Sequence, residues 1–435
     1  MSRRCRSRAQ LFLLLLVLAL TFFFIVSYAT WRDNRSPVSS FTLKDVSHTT
    51  SLSTDIHSTN SVNMEDLSEI ISYKLELPPR KVPDREELMK LNPHLFSVVP
   101  PQFLPNIRSP CWYEEFTDEL ASNLYSNNLF YLVYESVEIQ LRKLKPDVPK
   151  YLQHVNGKQY RLRCLAYAYI MGQPKCGTSD LFFRMKMHPQ IGTVLTKEPH
   201  WWSWIGFVDG STSTMWNNQV WGYYYNTTED TEPRVMTMDF IHAVTPQAKF
   251  IAILRDPGER LFSEYLYCTN GNKSVQDFHV MVEESVQMFY SCLSKRSFRW
   301  CVYETEFNYQ MPAKLNVGMY VVFLMDWIGL YGRDHIFIVR FEDYANNLVD
   351  ELNRAYKFLN IDPLTAEEEA LVNSKPAWNT RKAEDKPLGD MLPETKELLR
   401  EFYWPFNVKL ASVLDDEGFH WNADPILLQQ RRRRG

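Results

Sequence analysis

The run Leu165-Ala-Tyr-Ala-Tyr-Ile-Met171, followed by Gly172-Gln-Pro-Lys-Cys-Gly-Thr-Ser179, decides how the rest of the chain is read. Its first part is apolar and rich in strand-favouring residues, and it breaks at a glycine into a loop of small and polar residues. A helix is predicted to open at Thr178 and to run through Leu181, Phe182 and Met185 to His188-Pro189. Strand, tight loop and helix N-terminus together make an anion site, because free backbone N–H groups and the helix dipole point at the same spot. Lys175 adds a full positive charge inside that loop. Gly172 and Gly177 have the glycine spacing of a nucleoside-triphosphate loop, G-x-x-x-x-G-K-[ST]. Here, however, lysine precedes the second glycine and Thr178 follows it directly, so a nucleoside triphosphatase is demoted while the phosphate cradle stands.

Working outward, Lys249-Phe-Ile-Ala-Ile-Leu254 is a continuous apolar run suited to a strand buried on both faces. It ends at Arg255-Asp-Pro257, after which Leu261, Phe262, Tyr265 and Leu266 show helical spacing. Residues 317–330 read as a buried helix stopped at Gly332, 335–339 as a third buried strand, and 348–359 as the helix after it. The alternation predicts an α/β fold with a central parallel sheet and right-handed crossovers. Residues 394–414 read as a long C-terminal helix broken at Pro405.

The 435 residues are 45% hydrophobic and 14% aromatic, enough for one large or two ordinary domains. A net charge of −4 excludes a global basic field, and with it a general nucleic-acid binder. Residues 1–9 carry Arg3, Arg4, Arg6 and Arg8, and 10–29 are free of charge and long enough to span a bilayer as a helix. Positive charge stays cytoplasmic, so the expectation is a signal-anchor with a cytosolic tail and a lumenal body, single-pass and type II. Residues 30–107 read as a disordered Ser/Thr-rich stem and a proline-punctuated collar, 108–424 as the folded domain, and 425–435 as a basic tail. A lumenal body puts six of the seven cysteines in an oxidising compartment. Cys292 and Cys301 are close enough to pair, whereas Cys176 is either bonded or a small buried thiol that leaves another cysteine single. Asn226 and Asn272 head glycosylation sequons. No cysteine or histidine spacing suggests a metal.

Three segments carry chemistry, each at or near the C-terminal end of a predicted strand, where open α/β sheets bind ligands. Beside the loop, Arg255 sits at a strand end with Ser263 on the following helix, both able to contact one phosphate. The third segment, Thr196-Lys-Glu-Pro-His-Trp-Trp202, runs from charge into aromatics. Each has a plainer reading: a structural turn, an Arg255 ion pair with Asp256 or Glu259, and a loop anchored by core tryptophans. Lys295, Arg296 and Arg299 form a basic cluster between Cys292 and Cys301, suited either to an anionic ligand or to a solvated face.

In type, spacing and order, Gln173–Ser179 and Arg255–Ser263 resemble the Golgi carbohydrate sulfotransferases that use 3′-phosphoadenosine 5′-phosphosulfate (PAPS). The runs Lys197–Trp202, Asn379-Thr-Arg-Lys382 and Leu392–Phe402 most resemble the branch that sulfates N-acetylgalactosamine 4-sulfate, and the similarity covers roughly residues 108–422. The resemblance implies a P-loop-like sulfotransferase fold in which Lys175, Cys176, Gly177, Thr178 and Ser179 hold the 5′-phosphosulfate. Arg255 and Ser263 are implied at the 3′-phosphate, with Arg381 and Lys382 at the nucleotide, although relatives read Arg-Lys-Gly where this chain has Ala383. Glu198 aligns with the base of the related heparan sulfate 3-O-sulfotransferases; His200 orients it or binds sugar, or the two roles are reversed. Trp201, Trp202, His200, Lys295, Arg296 and Arg299 are implied acceptor contacts. The expected reaction moves sulfate to the 6-hydroxyl of 4-sulfated N-acetylgalactosamine in chondroitin or dermatan sulfate, with no metal. Alternatives are another glycosaminoglycan or position, heparan sulfate included, or a catalytically silent glycan-binding relative. A homo-oligomer stays open.

Overall fold

The computed structural model describes residues 62–116, 152–192, 208–209, 211–218, 221–222, 232–269 and 271–421, all within one unit, Ser61–Gly435. Three helices come first: α1 Met64–Lys74, α2 Arg85–Leu91 and α3 Pro93–Val98. Asn63, Asp84 and Asn92 cap them by accepting a hydrogen bond from a first-turn backbone N–H. These residues fall in the stretch read from sequence as stem and collar, and the structure corrects that reading for 62–99. Leu67, Ile71 and Leu75 are at most 1% exposed and join the main core. The helical spacing of these few apolar residues is diluted among polar ones, which made the segment look too poor in hydrophobic surface to fold. Arg80 forms a buried ion pair with Asp239, and the Pro78 carbonyl accepts from Arg299 at 2.8 Å.

A three-stranded antiparallel sheet follows, order β1-β3-β2, made of β1 Cys111–Glu115, β2 Leu152–Val155 and β3 Lys158–Cys164. Asn156 and Gly157, both at positive φ, make the two-residue hairpin turn between β2 and β3. Cys111 and Cys164 face each other in register and are disulfide-bonded. The second sheet has four parallel strands in the order β5-β4-β6-β7: β4 Ala168–Gly172, β5 Val208–Asp209, β6 Lys249–Leu254 and β7 Ile336–Arg340. β4 is buried throughout and β6 at every position but its first, as their unbroken apolar runs demand.

Helices α4 Thr178–Met185, α5 Thr237–Val244, α6 Pro257–Cys268, α7 Val275–Leu293, α8 Phe298–Tyr303, α9 Thr305–Gln310 and α10 Tyr320–Tyr331 come before β7. After it come α11 Phe341–Asn346, α12 Leu348–Phe358, α13 Ala366–Asn373 and α14 Pro393–Leu414. The predicted helix over 317–330 is divided, a 3-10 turn at Leu315–Gly318 preceding α10. α14 does not break at Pro405. Phe402, Tyr403, Phe406 and Leu410 are each 1% exposed around that proline, so packing offsets the backbone hydrogen bond it cannot donate. No helix among the described residues is long and apolar enough to cross a membrane, and the predicted anchor at 10–29 lies outside them.

Candidate active site

β4 and β6 are neighbours in the sheet, so the loops leaving Gly172 and Leu254 emerge side by side. β5, which follows β4 in sequence, lies on β4's other edge, so the strand order reverses at β4. A crevice at the C-terminal strand ends belongs at such a reversal. Gln173 ties the two loops together by donating its N–H to the Ile253 carbonyl at 2.9 Å. Lys175 at φ 66° and Gly177 at φ 86° turn the chain into α4. A Cβ on Gly177 would lie 2.9 Å from the Phe341 ring, so glycine is required there by φ and by space.

The first turn of α4 is buried at Thr178, Ser179 and Asp180. Ser179 Oγ accepts from Asn379 Nδ2 at 2.9 Å, which brings the 376–382 segment against the loop. Asp180 is the anchor: it accepts from Arg184 Nε and Tyr344 OH at 2.7 Å each, and from the Trp378 N–H at 3.0 Å. The Lys175 ammonium lies 3.8 Å from the ring centroid of Tyr267, whose negative face holds the cation at the mouth of the loop. Cys176 is fully buried, and burial pushes its thiol up to about 11, so it is no nucleophile; its backbone N–H donates to the Gln173 carbonyl at 3.3 Å and closes the loop.

Arg255 leaves β6 with its guanidinium 3.5 Å from Glu259 and 5.3 Å from the Phe341 ring centroid. The ion pair with Glu259 is the plainer reading anticipated for Arg255, and it is half-exposed and exchangeable. Phe341 thus stands between Gly177 and Arg255, one wedge shared by two cationic segments. Asp256 caps α6 by accepting from the Glu259 N–H at 2.9 Å, while burial raises its pKa. Ser263 is half-buried two turns along α6, next to Phe262, over which the Arg381 guanidinium lies at 5.6 Å. Arg381 Nη2 donates to the carbonyls of Asp385 and Gly389, at 2.7 Å each, and its buried Nε has no partner. Lys382 is exposed and pairs with Glu384 at 3.4 Å.

These groups fit a donor with two phosphate ends. One end has Lys175 and the N-terminus of α4, behind a loop that tolerates only glycine at 177. The other has Arg255, Ser263 and the orphaned Nε of Arg381.

Glu198, His200, Trp201, Trp202 and Asn226 lie outside the described residues. Asn272 is exposed, and Cys292 is bonded to Cys301. Cys176 is a buried free thiol, and the cysteine it leaves single is Cys268. The basic cluster is corrected at one position. Arg299 is 3% exposed and locked to Asp326 at 3.0 Å, so it faces the core and no acceptor can reach it. Lys295 and Arg296 stay exposed, Arg296 over the Trp300 ring. Sequence reasoning missed Tyr267 and Phe341. Tyr267 sits one helical turn past Ser263, a spacing that places both on one side of α6; Phe341 gave no signal, because its partners are far away in sequence.

The sulfotransferase domain family matches residues 167–386, from one residue before β4 to beyond Arg381. Carbohydrate sulfotransferase 15 of Mus musculus is 40% identical over 402 residues, covering 81% of this chain and 72% of that protein. The Homo sapiens protein of that name is 39% identical over the same share of this chain, 81%, and 72% of its own length. Heparan sulfate glucosamine 3-O-sulfotransferase 6 of Mus musculus is 22% identical, covering 59% of this chain and 73% of that protein. With the family match spanning both cationic segments, this chain belongs to the sulfotransferase family, among its carbohydrate sulfotransferases.

Proposed function

We propose that this chain moves the sulfuryl group of PAPS to the 6-hydroxyl of N-acetylgalactosamine 4-sulfate in chondroitin or dermatan sulfate, on the lumenal side of the Golgi membrane. The observation that carries the donor half is the pairing of two cationic segments at adjacent strand ends across Phe341. A second phosphate site is what separates PAPS from adenosine triphosphate. The acceptor half is supported by the 39–40% identity to proteins named carbohydrate sulfotransferase 15. The lumenal setting is supported by two disulfides among the described residues, by the exposed Asn272 sequon and by the apolar run at 10–29.

PAPS supplies a sulfuryl group already activated on a phosphate. Transfer in line breaks one S–O bond and forms another, so positioning and charge stabilisation dominate, as in phosphoryl transfer. Lys175 stabilises the charge left on the phosphate oxygen. The N–H groups of Gly177, Thr178 and Ser179 hold the 5′-phosphate, with Cys176 closing the loop behind them, and Arg255, Ser263 and Arg381 hold the 3′-phosphate. The 6-hydroxyl loses its proton to Glu198, oriented by His200, or to His200 itself. Lys295 and Arg296, with Trp201 and Trp202, meet the polyanionic chain.

The test is to incubate the full-length chain, in detergent, with radiolabelled PAPS and a panel of desulfated and 4-sulfated glycosaminoglycans, then resolve product disaccharides. A 4,6-disulfated N-acetylgalactosamine product is expected. Incorporation only into heparan sulfate would overturn the acceptor, and none into any glycan by a folded preparation would sink the enzyme reading.

A further inference from the structure

Two consecutive residues of the 376–382 segment clasp two consecutive residues in the first turn of α4. The Trp378 N–H donates to Asp180 Oδ1 at 3.0 Å, and the Asn379 amide donates to Ser179 Oγ at 2.9 Å. Trp378 is fixed further by the Phe183 ring, stacked on it at 5.5 Å between centroids, and by the Arg184 guanidinium at 5.2 Å. Asn379 stands at φ 57°, a left-handed backbone that asparagine tolerates better than most residues. Asn379 is exposed and Ser179 keeps 8% of its surface, so the bonded pair lies at the surface beside the loop and not in the core. An exposed side chain held at an unusual φ on one hydroxyl of the phosphate loop points to a role in the site.

The direction of the bond decides what that role is. A hydroxyl has one proton to give and two lone pairs with which to accept. Because Ser179 Oγ accepts from Asn379, its proton is left for another group, and no described residue takes it. Ser179 lies in the opening turn of α4, which no side chain among the described residues caps. A phosphate oxygen placed there is an acceptor, so a serine committed to donating suits it and one committed to accepting does not.

We infer that Asn379 is a positioning residue for the sulfate donor: its amide holds the Ser179 hydroxyl with the proton turned to the 5′-phosphate. The inference rests on the sulfotransfer reading and deepens it, since it adds a group that acts on the leaving phosphate through another residue. The other end of the donor site is held separately. Arg381 donates to the carbonyls of Asp385 and Gly389, and Lys273 pairs with Asp385 at 2.7 Å while donating to the Leu266 carbonyl in the last turn of α6. Removing the Asn379 amide therefore disturbs the 5′ end and leaves Arg381 in place.

The experiment is calorimetry of the full-length chain, in detergent, with adenosine 3′,5′-bisphosphate and with adenosine 3′-monophosphate, which lacks the 5′-phosphate. Asn379→Gly takes φ 57° without steric cost, so it removes the amide and not the turn. It should weaken the bisphosphate about 10-fold and the 3′-monophosphate less than about twofold. Asn379→Asp keeps the shape but turns the bond round: the hydroxyl then donates to the carboxylate, and a negative charge stands beside the phosphate. Its loss on the bisphosphate should be larger, about 30-fold or more. In a Ser179→Ala chain, Asn379→Gly should cost less than about twofold further, because the two residues act as one unit. Equal losses on both nucleotides would reduce Asn379 to a brace for the segment and overturn the inference. So would an Asn379→Asp protein that binds the bisphosphate as wild type does. Failure of wild type to bind the bisphosphate is a different result, and would refute the donor reading itself.

Discussion

Gly177→Ala tests the donor cradle where geometry leaves least room. Alanine at φ 86° takes a left-handed backbone, at a cost of roughly 1–2 kcal/mol. Its Cβ would lie 2.9 Å from Cδ2 and Cε2 of Phe341, against an ordinary contact of 3.4 Å or more, so the ring must give way. Overpacking of that kind costs about 1–3 kcal/mol. The total, about 2–5 kcal/mol, corresponds to a melting temperature lower by roughly 3–8 °C for a folded part of about 300 residues. The second consequence is functional. Phe341 also carries the Arg255 guanidinium at 5.3 Å, so moving the ring moves the cation meant for the 3′-phosphate. Affinity for adenosine 3′,5′-bisphosphate, read by calorimetry, should fall about 10-fold or more, the effect of losing one charged hydrogen bond. Phe341→Leu in the same chain should recover the steric part and leave only the backbone part. A Gly177→Ala protein that melts and binds nucleotide as wild type does would refute the cradle as described.

Lys175→Ala should abolish transfer, on the order of 10³-fold in kcat, while nucleotide still binds through Arg255 and α4, as single-turnover assays and calorimetry would show. Glu198→Gln should lose turnover with donor binding intact; near-normal turnover in the same assay would move the base role to His200. Asp180→Ala removes the acceptor of three hydrogen bonds and leaves buried Arg184 without its carboxylate, so urea unfolding should report a loss of about 3–5 kcal/mol. For Cys176 the sign is set by its raised pKa, from 9.0 to about 11. The unfolded chain gives up this proton first, so stability from this group is full below pH 9 and falls on the way to about 11. The loss is on the order of 2–3 kcal/mol, and Cys176→Ala should show a shallower decline in melting temperature over that range.

The parallel sheet was legible because β6 is an unbroken apolar run and β4 ends at a glycine followed by a lysine loop. Period and punctuation are local properties, and sequence carries them directly. Arg299 shows the opposite case. It follows two surface cations closely in the chain, Lys295 and Arg296, yet its partner Asp326 comes from α10, and no local rule reports that. The 62–99 segment looked like stem because its few buried leucines and isoleucines are separated by polar residues.

That segment bears on where the chain can be cut. Cutting the chain at residue 108 would strip α1 from α14, leave Asp239 buried without Arg80, and take the Pro78 carbonyl from Arg299. Losing Leu67, Ile71 and Leu75 from the core adds about 1.5–3 kcal/mol each to a broken buried pair worth about 3–5. That is comparable to the whole stability of an ordinary domain. A protease acting before residue 62 would leave this packing whole, whereas one acting between 75 and 108 would undo it. A harmless cut and a ruinous one are therefore separated by little more than one helix.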